Sequence, residues 1–227
     1  MMAVAYRYQK NYDNALRATQ KIVDIDPRHA RVRQERGYIF LAKGQDEHAL
    51  VNFSEAVRIN PALMFSWQNI QKLYDSKNLT KNQQRELNKA NAQVEYLKQL
   101  PQALLAVHEF IYDDHLQKAE NLCRDFLLNN KHNIEGMRML AEIGMKLKIY
   151  DDAEFLLESC VELSPENIMA RAQYLSLLIT LGQYRKAEIQ VKYLIDKQPD
   201  NFRFLVAQGS VLVGLGQLEQ GISLLKG

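Results

Sequence analysis

Cysteine is scarce in this chain, which has two among 227 residues, Cys123 and Cys160. Two cysteines cannot form the disulfide framework that stabilises small secreted domains. We therefore interpret both as small apolar core residues in a reducing compartment. The N-terminus lacks an apolar segment like that of a signal peptide, so nothing in it directs export. These absences predict a cytoplasmic location.

Long apolar runs and a large net charge are also lacking. No run approaches the roughly 20 apolar residues that a membrane-spanning helix needs, so no membrane association is expected. A net charge of +2 gives no support to a dedicated nucleic-acid binder. Five prolines and ten glycines are too few for a disordered chain. The composition is that of an ordinary folded protein.

What the sequence does contain is a repeat of 34 residues. Pro27 and Pro61 are one period apart, and so are Pro165 and Pro199. Small residues recur in the same register and form a ladder, whose members are Ala15, Ala49, Ala119, Ala153, Ala187 and Gly221. A fixed period of about 20–50 residues indicates a stack of repeated structural units.

Each unit contains two amphipathic helices. In residues 168–201, apolar residues recur three and four apart, with one interruption at Gly182-Gln183. The first helix carries Met169, Ala172, Leu175 and Ile179, and the second carries Ala187, Val191, Leu194 and Ile195. Two helices of about 12 residues leave no room for a strand, so the sequence predicts an all-α solenoid. The ladder residues are small because paired helices approach closely there.

The pattern resembles the tetratricopeptide repeat. Residues 30–63 carry Gly37, Gly44, Ala49, Phe53, Ala56 and Pro61 at the spacing of that family, and the next unit adds Trp67 and Tyr74. The resemblance implies a right-handed superhelical solenoid of antiparallel helix pairs, with about six or seven repeats. It also implies a protein-interaction scaffold that binds a peptide or partner protein, with neither catalysis nor a cofactor.

One unit departs from the pattern. It has Gln83 where the ladder requires a small residue, and Thr80 with Gln83 fits a capping box that opens a helix. Nothing breaks that helix before Pro101, so we expect about 20 residues in it. The chain is then divided into residues 1–99, with repeats 1–3, and residues 100–227, with repeats 4–7.

The last repeat is interpreted as truncated. We expect its apolar residues to be partly uncovered and to promote self-association; they are Leu212, Leu215, Ile222 and Leu225. Residues 92–101, 118–128 and 152–158 further resemble bacterial proteins that join such repeats to a C-terminal sulfotransferase domain. That resemblance implies, as an alternative, a non-catalytic regulatory or substrate-presenting module, because the chain contains no strand–loop–helix phosphate site.

The tetratricopeptide resemblance also implies a binding groove, since the first helix of each unit lines the concave face in that family. The residues predicted to line it are Gln34, Tyr38, Gln68, Lys72, Leu104, His108, Arg138, Glu142, Met145, Ala172 and Ser176. Amides, a tyrosine and mixed charges suit the capture of an extended or helical peptide. We predict that Arg138 is the main anchor and that Glu142 holds it in place.

Other candidate chemistry is weak. His108-Glu109 is followed by Tyr112 where a zinc-binding motif needs a second histidine, so no metal site is predicted. Residues 113–115, Asp-Asp-His, are interpreted as a turn. Gly214, Gly216 and Gly221 follow no strand and are interpreted as turn and close-packing residues.

A basic run contains Arg28, Arg31, Arg33 and Arg36. One interpretation is a solvated helix start; the other is a contact for a phosphate or an acidic peptide. Arg36 lies where the repeat usually buries a leucine, which makes this residue anomalous.

Overall fold

The computed structural model describes residues 2–75 and 78–226, and the side chains of residues 225 and 226 lie outside this description. The described residues form helices and turns and contain no strand. The helices are α1 Met2–Tyr8, α2 Tyr12–Ile25, α3 Ala30–Ala42, α4 Asp46–Ile59, α5 Met64–Tyr74, α6 Lys81–Gln99, α7 Gln102–Tyr112, α8 Leu116–Asn129, α9 Ile134–Leu147, α10 Tyr150–Leu163, α11 Ile168–Thr180, α12 Tyr184–Lys197, α13 Phe202–Gly214 and α14 Leu218–Lys226. The all-α prediction is confirmed.

The chain forms two compact units, Met1–Ala119 and Glu120–Gly227. In the first unit, α1 packs on α2, α3 on α4 and α5 on α6; in the second, α9 packs on α10, α11 on α12 and α13 on α14. Each pair is a helical hairpin, and the hairpins stack on their neighbours. The boundary between the units falls within the sequence of α8, whereas the repeat-based division at residues 99 and 100 stays a prediction.

The ladder residues are buried in the interior of the units. Ala15, Ala49, Ala119, Ala153 and Ala187 are each 0% exposed. At Gly221 an added Cβ atom would lie 2.7 Å from Cγ2 of Val213 and 2.9 Å from the carbonyl oxygen of Gly209. A larger side chain at any of these positions would push the paired helices apart. The steric interpretation of the ladder is confirmed.

The long helix α6 spans 19 residues, or roughly 28 Å. Its N-terminus has the predicted capping box: the Gln83 amide donates to Thr80 Oγ1 at 3.3 Å, and the Thr80 amide donates to Gln83 Oε1 at 2.9 Å. It ends just before Pro101, since the residue preceding a proline disfavours helical backbone. Both sequence predictions for this helix are confirmed.

Left-handed backbone recurs at the turn between the helices of a pair. The residues with positive φ are Lys10, Gly44, Asp114, Lys148, Gly182 and Gly216, which share one register of the repeat. Lys148 has φ 63°, a conformation that costs a residue with a Cβ atom about 1–2 kcal/mol. Tight reversal of the chain therefore imposes this conformation even where glycine is absent.

Both cysteines are buried thiols, as interpreted from the sequence. The Cys123 thiol donates to the carbonyl oxygen of Gly136 at 3.2 Å. Burial raises the pKa of Cys123 to about 12 and that of Cys160 to about 11, so neither is activated as a nucleophile. In the described part of the chain, no helix is long and apolar enough to cross a bilayer.

Candidate functional site

The first helices of successive pairs touch one another: α1 contacts α3 in the first unit, and α11 contacts both α9 and α13 in the second. We call the side chains that these first helices present the first-helix surface of each unit. It is the structural counterpart of the predicted groove lining.

Two links across α1, α3 and α5 occupy part of this surface. The Gln34 side-chain amide donates to Ser66 Oγ at 2.9 Å, and Arg7 forms an ion pair with Glu35 at 2.7 Å. The Arg7 guanidinium also lies 5.3 Å from the centroid of the Tyr38 ring. Gln34 and Tyr38 are therefore engaged within the unit and stabilise the stacking of its helices.

Helix α5 presents an accessible stripe that consists of Phe65, Gln68 and Lys72. Their spacing places them on one face of the helix. Phe65 is 65% exposed, Gln68 is partly exposed and Lys72 is exposed. Gln68 and Lys72 were predicted from the sequence, whereas Phe65 was not. Phe65 takes the same position in its repeat as Met169 does in a later one. This register is the sequence feature from which the exposure of Phe65 could have been predicted.

His108 is buried, with 8% of its surface exposed. Its ring packs edge-on against Tyr112, with centroids 5.3 Å apart, and against Tyr96 at 6.1 Å. Aromatic packing of this geometry is stabilising and explains the burial of a polar ring. His108 was predicted to line the groove, but in this environment it has little surface to offer a ligand.

The Asp-Asp-His segment forms the turn after α7, as interpreted from the sequence. Asp114 has φ 59°, and Asp113 accepts hydrogen bonds from Arg31 and Asn60, each at 2.8 Å. Arg31 also pairs with Glu109. No group of three His, Cys, Asp or Glu side chains in the described residues is arranged to hold a metal ion.

Arg138, the predicted anchor, is buried at 7% exposure. Its Nη1 donates to Gln173 Oε1 at 2.7 Å, and its Nη2 pairs with Glu135 at 3.2 Å. Glu142 was the predicted partner; the structure instead brings Glu135, one turn earlier on α9, and Gln173 from α11. Because the guanidinium is held by these two side chains, Arg138 links α9 to α11, and its role as a ligand anchor stays a prediction.

The other two predicted residues of α9 are partly buried. Burial raises the pKa of Glu142, and the positive charges of Lys146 and Arg138 oppose this effect. Met145 packs against the core of the second unit. The accessible stripe of that unit is on α11, where Met169 is 48% exposed and Ser176, a predicted groove residue, is exposed.

A cavity of about 220 Å³ lies between α8, α9 and α10. Its lining includes Leu140, Ile143, Gly144, Phe155 and Leu156, and none of the predicted groove residues. Gly144 occupies the repeat position that holds Phe40, Tyr74, Phe110 and Leu178 in other units.

Sequence and fold comparisons identify related repeats. Residues 1–63 match the family model of the tetratricopeptide repeat. No curated protein matches the chain. The match covers the first two helix pairs, so the tetratricopeptide repeat is identified for residues 1–63.

Three solved structures illustrate the likeness. A MamA RS-1 ArsTM double mutant is 18% identical with a TM-score of 0.51, over 56% of this chain and 73% of that one. YrrB, described as a TPR protein with an unusual peptide-binding site, is 14% identical with a TM-score of 0.48. The match covers 92% of this chain and 89% of that one. A tetratricopeptide repeat protein from Parabacteroides merdae ATCC 43184 is 18% identical with a TM-score of 0.47. The match covers 87% of this chain and 77% of that one. At 18% identity and a TM-score of 0.51, the likeness to the MamA double mutant concerns the fold alone.

Proposed function

We propose that this chain is a non-catalytic interaction module that binds a peptide or partner protein on its first-helix surface. The observation that carries the proposal is the stripe of Phe65, Gln68 and Lys72 on α5. Phe65, with 65% of its surface exposed beside two polar side chains of the same helix face, offers an apolar contact that a partner can cover.

The composition of the stripe suits a polypeptide ligand. Aromatic residues are frequent among the few side chains that dominate binding energy. Next to Phe65, the amide of Gln68 can donate to and accept from a peptide backbone. Lys72, one turn further, adds a positive charge that favours an acidic residue in the ligand. We infer an apolar anchor followed by a polar, acidic segment as the preferred ligand.

The second unit has a similar stripe on α11. Met169 is its exposed apolar residue, and Ala172 and Ser176 continue the same helical face. Methionine adapts its shape to different apolar partners, because its side chain is flexible and polarizable. The residues that were predicted as contacts but are engaged internally, such as Gln34 and Arg138, have a supporting role in this proposal.

Site-specific photo-crosslinking tests the proposal. Benzoylphenylalanine would replace Phe65 in one variant and Val51 in the other; Val51 is also exposed but lies on α4, a second helix. After irradiation with lysate of the source cells, we expect a discrete product at position 65 that excess unmodified chain competes away. An equal product at position 51, or none at position 65, would contradict the proposal.

We also propose self-association through the C-terminal hairpin. Phe202 on α13 and Leu218 and Ile222 on α14 are exposed apolar residues. Leu215 packs against the core of its unit, and the side chain of Leu225 lies outside the described residues. Apolar residues exposed on adjacent helices form a surface that a second copy can cover.

The remaining expectations are proposals too. The buried thiols Cys123 and Cys160 are compatible with a reducing, cytoplasmic location. A protein ligand is favoured over nucleic acid because Arg31 and Arg138 already pair with carboxylates of the same unit. The role beside a sulfotransferase has no support from the comparisons, and no observation in the structure favours it.

A further inference from the structure

Among the described residues, no carboxylate forms an ion pair with Arg33 or Arg36 on α3, although both side chains are partly buried. The two residues are one turn apart. The Nε atoms of both are buried without a hydrogen-bond partner. Arg36 donates to a hydroxyl group, Thr19 Oγ1, at 3.2 Å. By contrast, Arg7 pairs with Glu35.

The two carboxylates whose charges act on these arginines, Asp24 on Arg36 and Glu55 on Arg33, make their hydrogen bonds to other side chains. Asp24 on α2 accepts from Gln20 at 2.7 Å, and Glu55 on α4 pairs with Arg58 at 2.8 Å. In the part of the chain that the structure describes, neither carboxylate forms an ion pair with Arg33 or Arg36. Two positive charges thus lie side by side, partly removed from water and without a direct ion pair.

The electrostatic consequence is visible at Arg36. Burial lowers its pKa, the neighbouring charge of Arg33 lowers it further, and the charge of Asp24 acts in the opposite direction. Desolvating a guanidinium without a compensating partner is unfavourable, and bringing two together adds repulsion. An anion between them would remove both costs.

Comparison with the next helix pair shows that the repeat does not require this arrangement. Between α2 and α3 the facing residues are Thr19, Arg33 and Arg36. One period later, between α4 and α5, the equivalent residues are Phe53, Trp67 and Ile70, which are all buried. Apolar residues would pack this interface more favourably than unpaired charges. Residues that destabilise the fold locally and interrupt an apolar pattern are typical of functional sites.

We propose that Arg33 and Arg36 form a binding site for a doubly charged oxyanion of the phosphate monoester class. The charge of the two guanidinium groups matches that of a phosphate dianion, whereas a carboxylate would neutralise one of them. The planar fork of each arginine can donate two hydrogen bonds to adjacent oxygen atoms. The site is flanked by α2 and α4 and is independent of the proposed peptide-binding stripe on α5.

The direct test is titration of the whole chain with inorganic phosphate at constant ionic strength. Nitrogen-15 NMR would follow the Nε–H signals of arginine, assigned with R33Q and R36Q. We expect the signals of Arg33 and Arg36 to shift and saturate together. R33Q or R36Q should weaken binding about tenfold or more, the usual effect of losing a charge-assisted hydrogen bond.

R28Q is the charge-matched control, since Arg28 is exposed at the turn before α3. It should bind phosphate as the wild type does. Equal loss in R28Q, or an equal response to acetate, would overturn the proposal because it would show general screening. Unshifted Arg33 and Arg36 signals in the wild type would overturn it without any variant.

Two further arms complete the test. Arg36→Leu, which restores the usual residue of the repeat, should raise the melting temperature in phosphate-free buffer and abolish the response to phosphate. A retained response would overturn the proposal. Phosphoserine would be titrated in parallel: tighter binding than inorganic phosphate assigns the site to a phosphorylated side chain, and equal binding assigns it to the free anion.

Discussion

Arg138 and Gln173 exchange two hydrogen bonds between α9 and α11. The Arg138 guanidinium donates to Gln173 Oε1 at 2.7 Å, and the Gln173 side-chain amide donates to the Arg138 carbonyl oxygen at 3.2 Å. This reciprocal pair joins two first helices of the second unit. A residue predicted from the sequence to contact a ligand is therefore a stacking element.

Removal of this link should destabilise the fold. We expect Arg138→Ala to lower the free energy of unfolding by about 1–3 kcal/mol, since Gln173 and Glu135 lose their partner. Urea denaturation followed by circular dichroism measures the change. Arg185→Ala, on the exposed face of α12, is the control and should have little effect. Equal stability of both variants would show that the link contributes nothing.

The helix ladder should not tolerate a larger side chain. Ala153 is fully buried, so Ala153→Leu should cost about 1–3 kcal/mol by forcing α9 and α10 apart. The matched control is Ala92→Leu on the exposed side of α6. Calorimetry would compare their melting temperatures. An unchanged value for Ala153→Leu would refute the assigned register.

Glycine should stabilise the turn after α9. Lys148 has a left-handed backbone, so Lys148→Gly relieves strain and should stabilise by up to about 1 kcal/mol. Lys146→Gly, inside the same helix, should destabilise by about 1 kcal/mol. Opposite signs of the two changes in urea denaturation would support the conformational argument; equal signs would exclude it.

Glu142 should make stability depend on pH. Burial raises the pKa of its carboxyl group in the folded protein, so folding favours the protonated form. Its favourable contribution is fully present below the unfolded pKa and is lost as pH rises through the folded pKa. We expect Glu142→Gln to be more stable than the wild type near neutral pH. The advantage should shrink on acidification, and a constant advantage would argue against burial as the cause.

The C-terminal hairpin should mediate concentration-dependent association. Leu218→Asp with Ile222→Asp places charges on an exposed apolar surface and should shift the chain towards the monomer. Light scattering over a concentration series measures the mass. Ile189→Asp, which alters an exposed apolar residue on α12, is the control and should associate as the wild type does. A wild-type chain that remains monomeric at high concentration would contradict the proposal.

Local features were predictable from the sequence by itself. The period of 34 residues, the ladder through Ala153 and the capping box of Thr80 and Gln83 all depend on residues close together in the chain or on one repeated register. Backbone geometry and helix packing translate such patterns into structure with few alternatives. The helix pairs, the long α6 and the turn positions follow from them.

The state of individual polar side chains was decided by the tertiary structure. Arg31 pairs with Asp113, 82 residues away, and His108 packs between aromatic rings of α6 and α7. A repeat register shows which face a residue occupies, but a neighbouring helix determines whether that residue meets a carboxylate, a ring or water. For the same reason, Arg33 and Arg36 resemble their neighbours in sequence, and only the tertiary structure shows that their buried Nε atoms have no hydrogen-bond partner.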